Sequence, residues 1–160
     1  MNFKTYLQKL EYNKEFQNFI KKNPTAYLCS AFFIIDKENS NHKQHFDYFL
    51  PEENKIFSFQ IEESCKQVPL DNLNPEIPEK LLLETDLELQ EIEDLIQVEM
   101  DNQGIKNKIQ KILFSINKFN KEEVAIGTVF ISNLGMIKLR IGLKDKKILD
   151  FKKESFMDMI

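Results

Sequence analysis

The sequence predicts an α+β fold made of two successive α-β-β-β units, each a helix followed by a three-stranded antiparallel meander, with a long central helix between the meanders. Three observations lead there. Each half opens on a stretch with apolar residues at helical spacing. Each then changes to short runs of aromatic and branched residues separated by polar turns. The two halves also resemble one another in order. Residues 1–63 form the first unit, 64–84 a proline-containing connection and 85–160 the second unit, the whole reading as one globule.

The first helix covers residues 2–22. Phe3, Tyr6, Leu7 and Leu10 share one face, and Phe16, Phe19 and Ile20 share another slightly out of phase with it, which predicts a bend near Tyr12–Lys14. Asn23-Pro24 stops the helix, because a residue before proline is pushed out of the helical region. Residues 26–36, 45–50 and 55–61 read as strands, joined by a polar turn over 37–43 and by Pro51-Glu-Glu-Asn54. In the connection Pro69, Pro75 and Pro78 exclude a regular helix or a central strand, while Val68, Leu70, Leu73 and Ile77 predict a segment laid along a surface.

Thr85-Asp-Leu-Glu88 has the form of a capping box. A helix then follows through Leu89, Ile92, Leu95, Ile96 and Met100. A second periodic set, Ile105, Ile109, Ile112, Leu113 and Ile116, predicts its continuation past a weak point at Gly104. Residues 124–132, 135–142 and 146–151 complete the second meander, and a short amphipathic tail follows.

Ser30-Ala-Phe-Phe-Ile resembles Thr128-Val-Phe-Ile-Ser, and Glu53-Asn-Lys-Ile-Phe-Ser-Phe59 resembles Asp145-Lys-Lys-Ile-Leu-Asp-Phe151. That order suggests a tandem repeat whose meanders join edge to edge or pack face to face. The α-β-β-β order with its closing lysine turn resembles PepSY-like and cystatin-like units, which would imply binding or inhibition of peptidases. Phe33-Ile-Ile-Asp36, Asp47-Tyr-Phe-Leu-Pro51, Lys55-Ile-Phe-Ser-Phe59 and Lys108-Ile-Gln-Lys-Ile112 are similar to uncharacterised proteins of small-genome archaea. That resemblance implies no catalytic residue.

At 160 residues, 42% of them hydrophobic and 14 of them Phe, the chain can build a core without crosslinks. Cys29 and Cys65 are too few for a disulfide framework and fall at opposite ends of the predicted first meander, so both are expected reduced. The first residues have no signal-peptide pattern, and the longest apolar stretch, Ala26 to Ile35, is far short of the ~20 residues that span a bilayer. A cytoplasmic protein without membrane attachment is the expectation.

Candidate chemistry is sparse. His42 and His45 lack a second pair that would complete a metal site. The four glycines form no phosphate-binding loop. Asp36 and Asp47 could face one another across the first turn, although such residues more often end strands and cap turns. No catalytic, cofactor or metal-ligating residue is assigned. Charge is uneven: residues 62–103 carry 13 acids against 2 lysines, and residues 104–153 carry 12 basic residues against 4 acids.

These patterns predict a non-enzymatic binding module for a protein partner or a second copy of the chain. Its candidate surface is the aromatic set Phe46, Tyr48, Phe49, Phe57 and Phe59, which an incompletely covered sheet would expose. The alternative is a nucleic-acid or anion binder on the basic second meander, through Lys138, Arg140, Lys144, Lys146 and Lys147, with Lys152 and Lys153 beside them. The scarcity of aromatics in that half disfavours nucleic acid.

Overall fold

The computed structural model describes residues 2–61, 66–71 and 76–155, the side chains of 66–71 excepted. Helices α1 (Phe3–Glu11) and α2 (Lys14–Lys22) lead into strands β1 (Tyr27–Asp36), β2 (Lys43–Leu50), β3 (Lys55–Gln60) and β4 (Lys66–Asp71). Helix α3 (Leu89–Asn102) precedes β5 (Ile109–Phe119), β6 (Glu122–Ile131), β7 (Gly135–Gly142) and β8 (Lys147–Ser155). All eight strands form one antiparallel sheet in the order β4-β3-β2-β1-β5-β6-β7-β8. The two meanders therefore join edge to edge through β1 and β5, and the strand order mirrors itself about that seam.

The break between α1 and α2 falls inside the expected bend. Asn13 ends its own turn and restarts the helix: its side-chain oxygen accepts from the Phe16 amide at 3.1 Å, satisfying one of the free first-turn donors. Asn2 does the same for α1, accepting from Thr5 at 3.0 Å.

The long central helix is corrected: α3 stops at Asn102, and residues 109–119 are a strand. Gly104, at φ +69°, adopts the left-handed conformation that glycine takes without penalty. The Ile105 amide donates to Met100 O at 2.8 Å and the Gly104 amide to Asp101 O at 3.1 Å. Those two bonds, with Met100 and Ile105 both buried, make a Schellman stop. Beyond it, Ile112, Phe114 and Ile116 alternate inward at strand period against β1. The capping box also shifts along the chain. Glu88 is the N-cap and its partner is Glu91, while Thr85 accepts from the Leu87 amide at 3.1 Å.

The connection contains a strand of its own, β4, paired with β3. Pro69 is compatible with it because β4 is an edge, where a missing amide breaks no second ladder. Residues 76–88 then cross the strand ends as a strap. Leu81 donates from its amide to Leu28 O at 2.8 Å, and Tyr27 donates from its hydroxyl to Pro78 O at 2.7 Å. The Glu123 carboxylate accepts from the Leu82, Leu83 and Glu84 amides at 3.1, 3.0 and 3.3 Å. Leu81, Leu83 and Leu87 are buried beneath it, whereas Ile77 is exposed.

All three helices pack against one face of the sheet. Phe16 and Phe19 of α2 meet Tyr48, Phe57 and Phe59, with ring centroids 4.9–5.2 Å apart. Phe3 of α1 sits against Phe33 at 4.9 Å and Phe114 at 6.1 Å. Ile92, Ile96 and Met100 of α3 complete the core with Ile137, Leu139 and Ile141. Burying each such side chain contributes roughly 1.5–3 kcal/mol relative to leaving it in water. Gly127 lies opposite Phe114, and a Cβ there would come 2.7 Å from Leu113 O and 2.8 Å from Phe114 Cβ. Its missing side chain is what lets the β5 chain at Leu113–Phe114 lie this close to β6.

Candidate functional site

The predicted aromatic surface is core. Phe46 and Phe59 are 0% exposed, Tyr48 and Phe49 are buried, and Phe57 is half-buried against Phe19. Strand alternation splits the five between faces. Phe46, Tyr48, Phe57 and Phe59 point to the helices, while Phe49 lies on the other face, its ring 5.7 Å from Tyr27. None of them forms an exposed patch among the described residues.

The predicted basic set divides as well. Lys138 and Arg140 of β7 lie on the face opposite the helices. Lys144 and Lys146 belong to the β7–β8 turn, and Lys147 begins β8 opposite Gly142. Lys146 bridges Asp86 at 3.1 Å and Glu91 at 3.7 Å. That contact ties the turn to the start of α3. Its partners, the Asp86 carboxylate first, raise the Lys146 ammonium above its ordinary value. The reciprocal bond from Lys146 holds Asp86 low.

The carboxylates and histidines do not converge. Asp47 pairs with Ser30, six residues before Asp36 on β1, a separation of roughly 20 Å at strand rise. The two therefore do not face one another. The Asp36 carboxylate accepts from the Glu38 and Asn39 amides at 3.0 and 2.9 Å, with Lys111 Nζ 3.9 Å away. The Asn39 amide first, and then Glu38 and Lys111, hold its carboxyl below the usual value. Burial pushes the Asp47 carboxyl up, opposed by a hydrogen bond from Ser58 and by His45.

His42 Nδ1 accepts from the Asp36 amide at 3.1 Å, and the His45 ring lies 5.7 Å from Phe32. Among the described residues no group of three His, Cys, Asp or Glu side chains could hold a metal ion. Cys29 is buried, its thiol donates to Asp47 O at 3.4 Å, and burial pushes its pKa up to about 12. It is a structural thiol. Cys65 lies outside the described residues.

What the fold does bring together is a shallow trough on the sheet face opposite the helices. It spans β1 and β5–β8 and encloses about 710 Å³. Cross-strand register builds it in rows. Phe32, Ser115, Ile126, Arg140 and Asp150 form one row, and Ile34, Leu113, Thr128, Lys138 and Lys152 the next. Its floor is apolar and its β7–β8 side is charged. Ile126 is 38% exposed and Leu113 and Phe130 are half-exposed.

Arg140 pairs with Asp150 at 3.2 Å. Lys138 and Lys152 share the Glu154 carboxylate at 3.7 and 3.6 Å. The lysine side chains are 59% and 77% exposed while that of Glu154 is 20% exposed. Asp150 is more exposed than Arg140, so three cations and two acids leave the rim one positive charge in excess. Leu113, Ile126 and Phe130 were absent from both predicted surfaces. Alternation along each strand separates them from the core set, but which face the helices leave open is decided only by packing.

No family profile matches the chain, and no curated protein matches it. Among solved structures, the crystal structure of a "putative lipoprotein" from Clostridium difficile superposes with a TM-score of 0.57. The match covers 89% of this chain and 92% of that one at 11% identity. An identity that low makes this a likeness of fold, a mixed α+β protein dominated by an antiparallel sheet. The resemblances to small archaeal proteins and to PepSY-like or cystatin-like units gain no family or sequence support. Among the described residues no helix is long and apolar enough to cross a membrane.

Proposed function

We propose that the protein is a non-enzymatic binding module whose working surface is the open sheet face over β5–β8 and whose ligand is another protein. One observation carries the reading: the helices cover one face of the sheet, and the other keeps an apolar floor beside a charged rim. Contiguous exposed apolar surface rimmed by polar groups marks interaction sites. The surface lies in the half of the molecule whose strands carry the lysines, away from the aromatic core of the first half.

The test is Ile126→Glu, which places a charge on the exposed floor. Affinity capture followed by light scattering of the complex should lose the partner while the unfolding midpoint stays near that of the parent. A variant that keeps its partner, or a parent chain that stays monomeric and captures nothing, contradicts the reading.

An anion-binding reading has one observation in its favour, the single carboxylate shared by Lys138 and Lys152. Against it, Lys146 is already engaged by Asp86 and Glu91. A nucleic-acid shift assay at low salt discriminates, because phosphate contacts are strongest there. Absence of binding at low salt removes that reading.

We also propose that the halves arose as copies. The mirrored strand order supports this, with two helices before four strands on one side of the seam and one helix before four strands on the other. That order makes β1 the counterpart of β5, whereas the sequence similarity pairs β1 with β6 and β3 with β8. A duplication would therefore have slipped by one strand in one comparison or the other.

A further inference from the structure

We infer that the partner segment taken by the open face is an acidic amphipathic helix. The inference rests on the open-face reading above and names the chemistry of its occupant.

The molecule shows what such a helix needs, because it already seats one on the opposite face. Helix α3 buries Ile92, Ile96 and Met100 against the sheet. Its flanking acids reach lysines at the margin: Glu93 meets Lys37 at 3.1 Å and Glu91 meets Lys146 at 3.7 Å. Apolar stripe to apolar floor, with acid flank to basic margin, is the recipe.

The open face offers the same two components. Leu113, Ile126 and Phe130 supply the floor. Lys138, Arg140 and Lys152 supply the margin, on one side only. Asp150 offsets Arg140, but Glu154 alone serves both ammonium groups, so one positive charge is left over. The two lysines are also far more exposed than that carboxylate. A docking helix would place its apolar stripe over Ile126 and its acids toward β7 and β8. An apolar helix without acids would strand the cations under a dry contact, and a basic one would meet like charge.

The probe is a labelled peptide with the sequence of residues 85–103, which carries seven acids and no basic residue. Binding to the full chain is followed by fluorescence anisotropy, beside a version with every acid replaced by its amide and one with every acid replaced by lysine. Vesicles of phosphatidylcholine with phosphatidylserine are the lipid arm.

The expected result is saturable binding of the acidic peptide, weakening with salt. The amide version should bind about tenfold or more weakly and the lysine version not at all. Lys138→Glu combined with Arg140→Glu should abolish acidic binding, and Lys152→Glu alone should weaken it. All three sites are exposed, and parent-like unfolding midpoints show that the variants fold.

Equal binding of acidic and amide peptides, lost in Ile126→Glu, overturns the acidic-helix inference and leaves the open-face reading standing. Acidic binding unchanged by Ile126→Glu and by the charge reversals places the contact elsewhere and overturns both. Vesicle binding without peptide binding overturns the inference in favour of a lipid surface.

Discussion

The two faces of the sheet use the same strands for opposite purposes. On the helix face Phe33, Phe59 and Phe114 interlock with rings from α1 and α2, Phe46 packs against Phe33, and all four are withdrawn from water. On the other face, neighbouring residues of the same strands, Leu113 beside Phe114 and Ile126 beside Gly127, remain partly exposed. Sequence neighbours thus differ in burial because side chains alternate with a period of two. The helix face should therefore govern stability, and the open face should be tolerant of change until a ligand arrives.

The largest expected contrast comes from adjacent floor and core positions. Phe114→Ala empties a site enclosed by Phe3 and Phe33 and should cost about 3–5 kcal/mol in denaturant unfolding. Ile126→Ala should cost less than about 1 kcal/mol. Comparable losses at both positions would erase the distinction between the faces.

Gly127→Ala should come next, at about 1–3 kcal/mol. Its Cβ would press on Leu113 O and Phe114 Cβ, backbone and core atoms that cannot swing away. Pairing it with Phe114→Leu should recover nothing of this loss, because leucine keeps the Cβ and the Leu113 oxygen is backbone. A Gly127→Ala variant as stable as the parent would show that β6 shifts freely.

The smallest effects are electrostatic and opposite in sign. Asp36 has a folded pKa below its unfolded value. Its stabilisation is present above the unfolded value, near 3.8, and is lost as pH falls through the folded one. Asp47 has a folded pKa above its unfolded value. The folded state then holds its proton more tightly, so stability falls as pH rises from the unfolded value through the folded one. Accordingly Asp36→Asn should lower the unfolding midpoint at neutral pH, and Asp47→Asn should raise it. Both differences should shrink below the carboxylate range. Shifts of the same sign at neutral pH would refute the assigned environments.

Much of the architecture was legible because its signals are local. The bend after Tyr12 showed as a phase slip between two apolar sets, and the strands of both meanders showed as branched and aromatic runs. The β5 strand was misread because Ile109, Ile112 and Ile116 fit helical spacing as well as a strand with its intervening residues ignored. Phe114 was the discriminating residue: it fits the alternation of Ile112 and Ile116 and not the helical set. Gly104 followed by apolar Ile105 was the stop signal beside it. The β4 strand was hidden by Pro69, which excludes a central position but not an edge.

The candidate site was less legible for a different reason. Exposure is a property of packing between elements. The density of Phe in the first half suggested surplus surface, but helices from the same half cover Phe46, Tyr48, Phe57 and Phe59, and Phe49 is buried on the opposite face. The open trough is assembled from five strands, so no contiguous stretch of sequence displays it. Lys138 and Arg140, named from the sequence, both fall on the open face of β7. Their acids on β8, and the apolar floor beside them, emerge only from strand register.

Methyl-resolved NMR of Ile- and Leu-labelled protein, titrated with the acidic peptide of residues 85–103, tests the division of labour between the faces most directly. The account predicts saturable shifts at Ile126 and Leu113, with Ile92, Ile96 and Ile137 unmoved under the helices. Shifts confined to Ile92, Ile96 and Ile137 would contradict it, because the ligand would then be reaching the face assigned to stability.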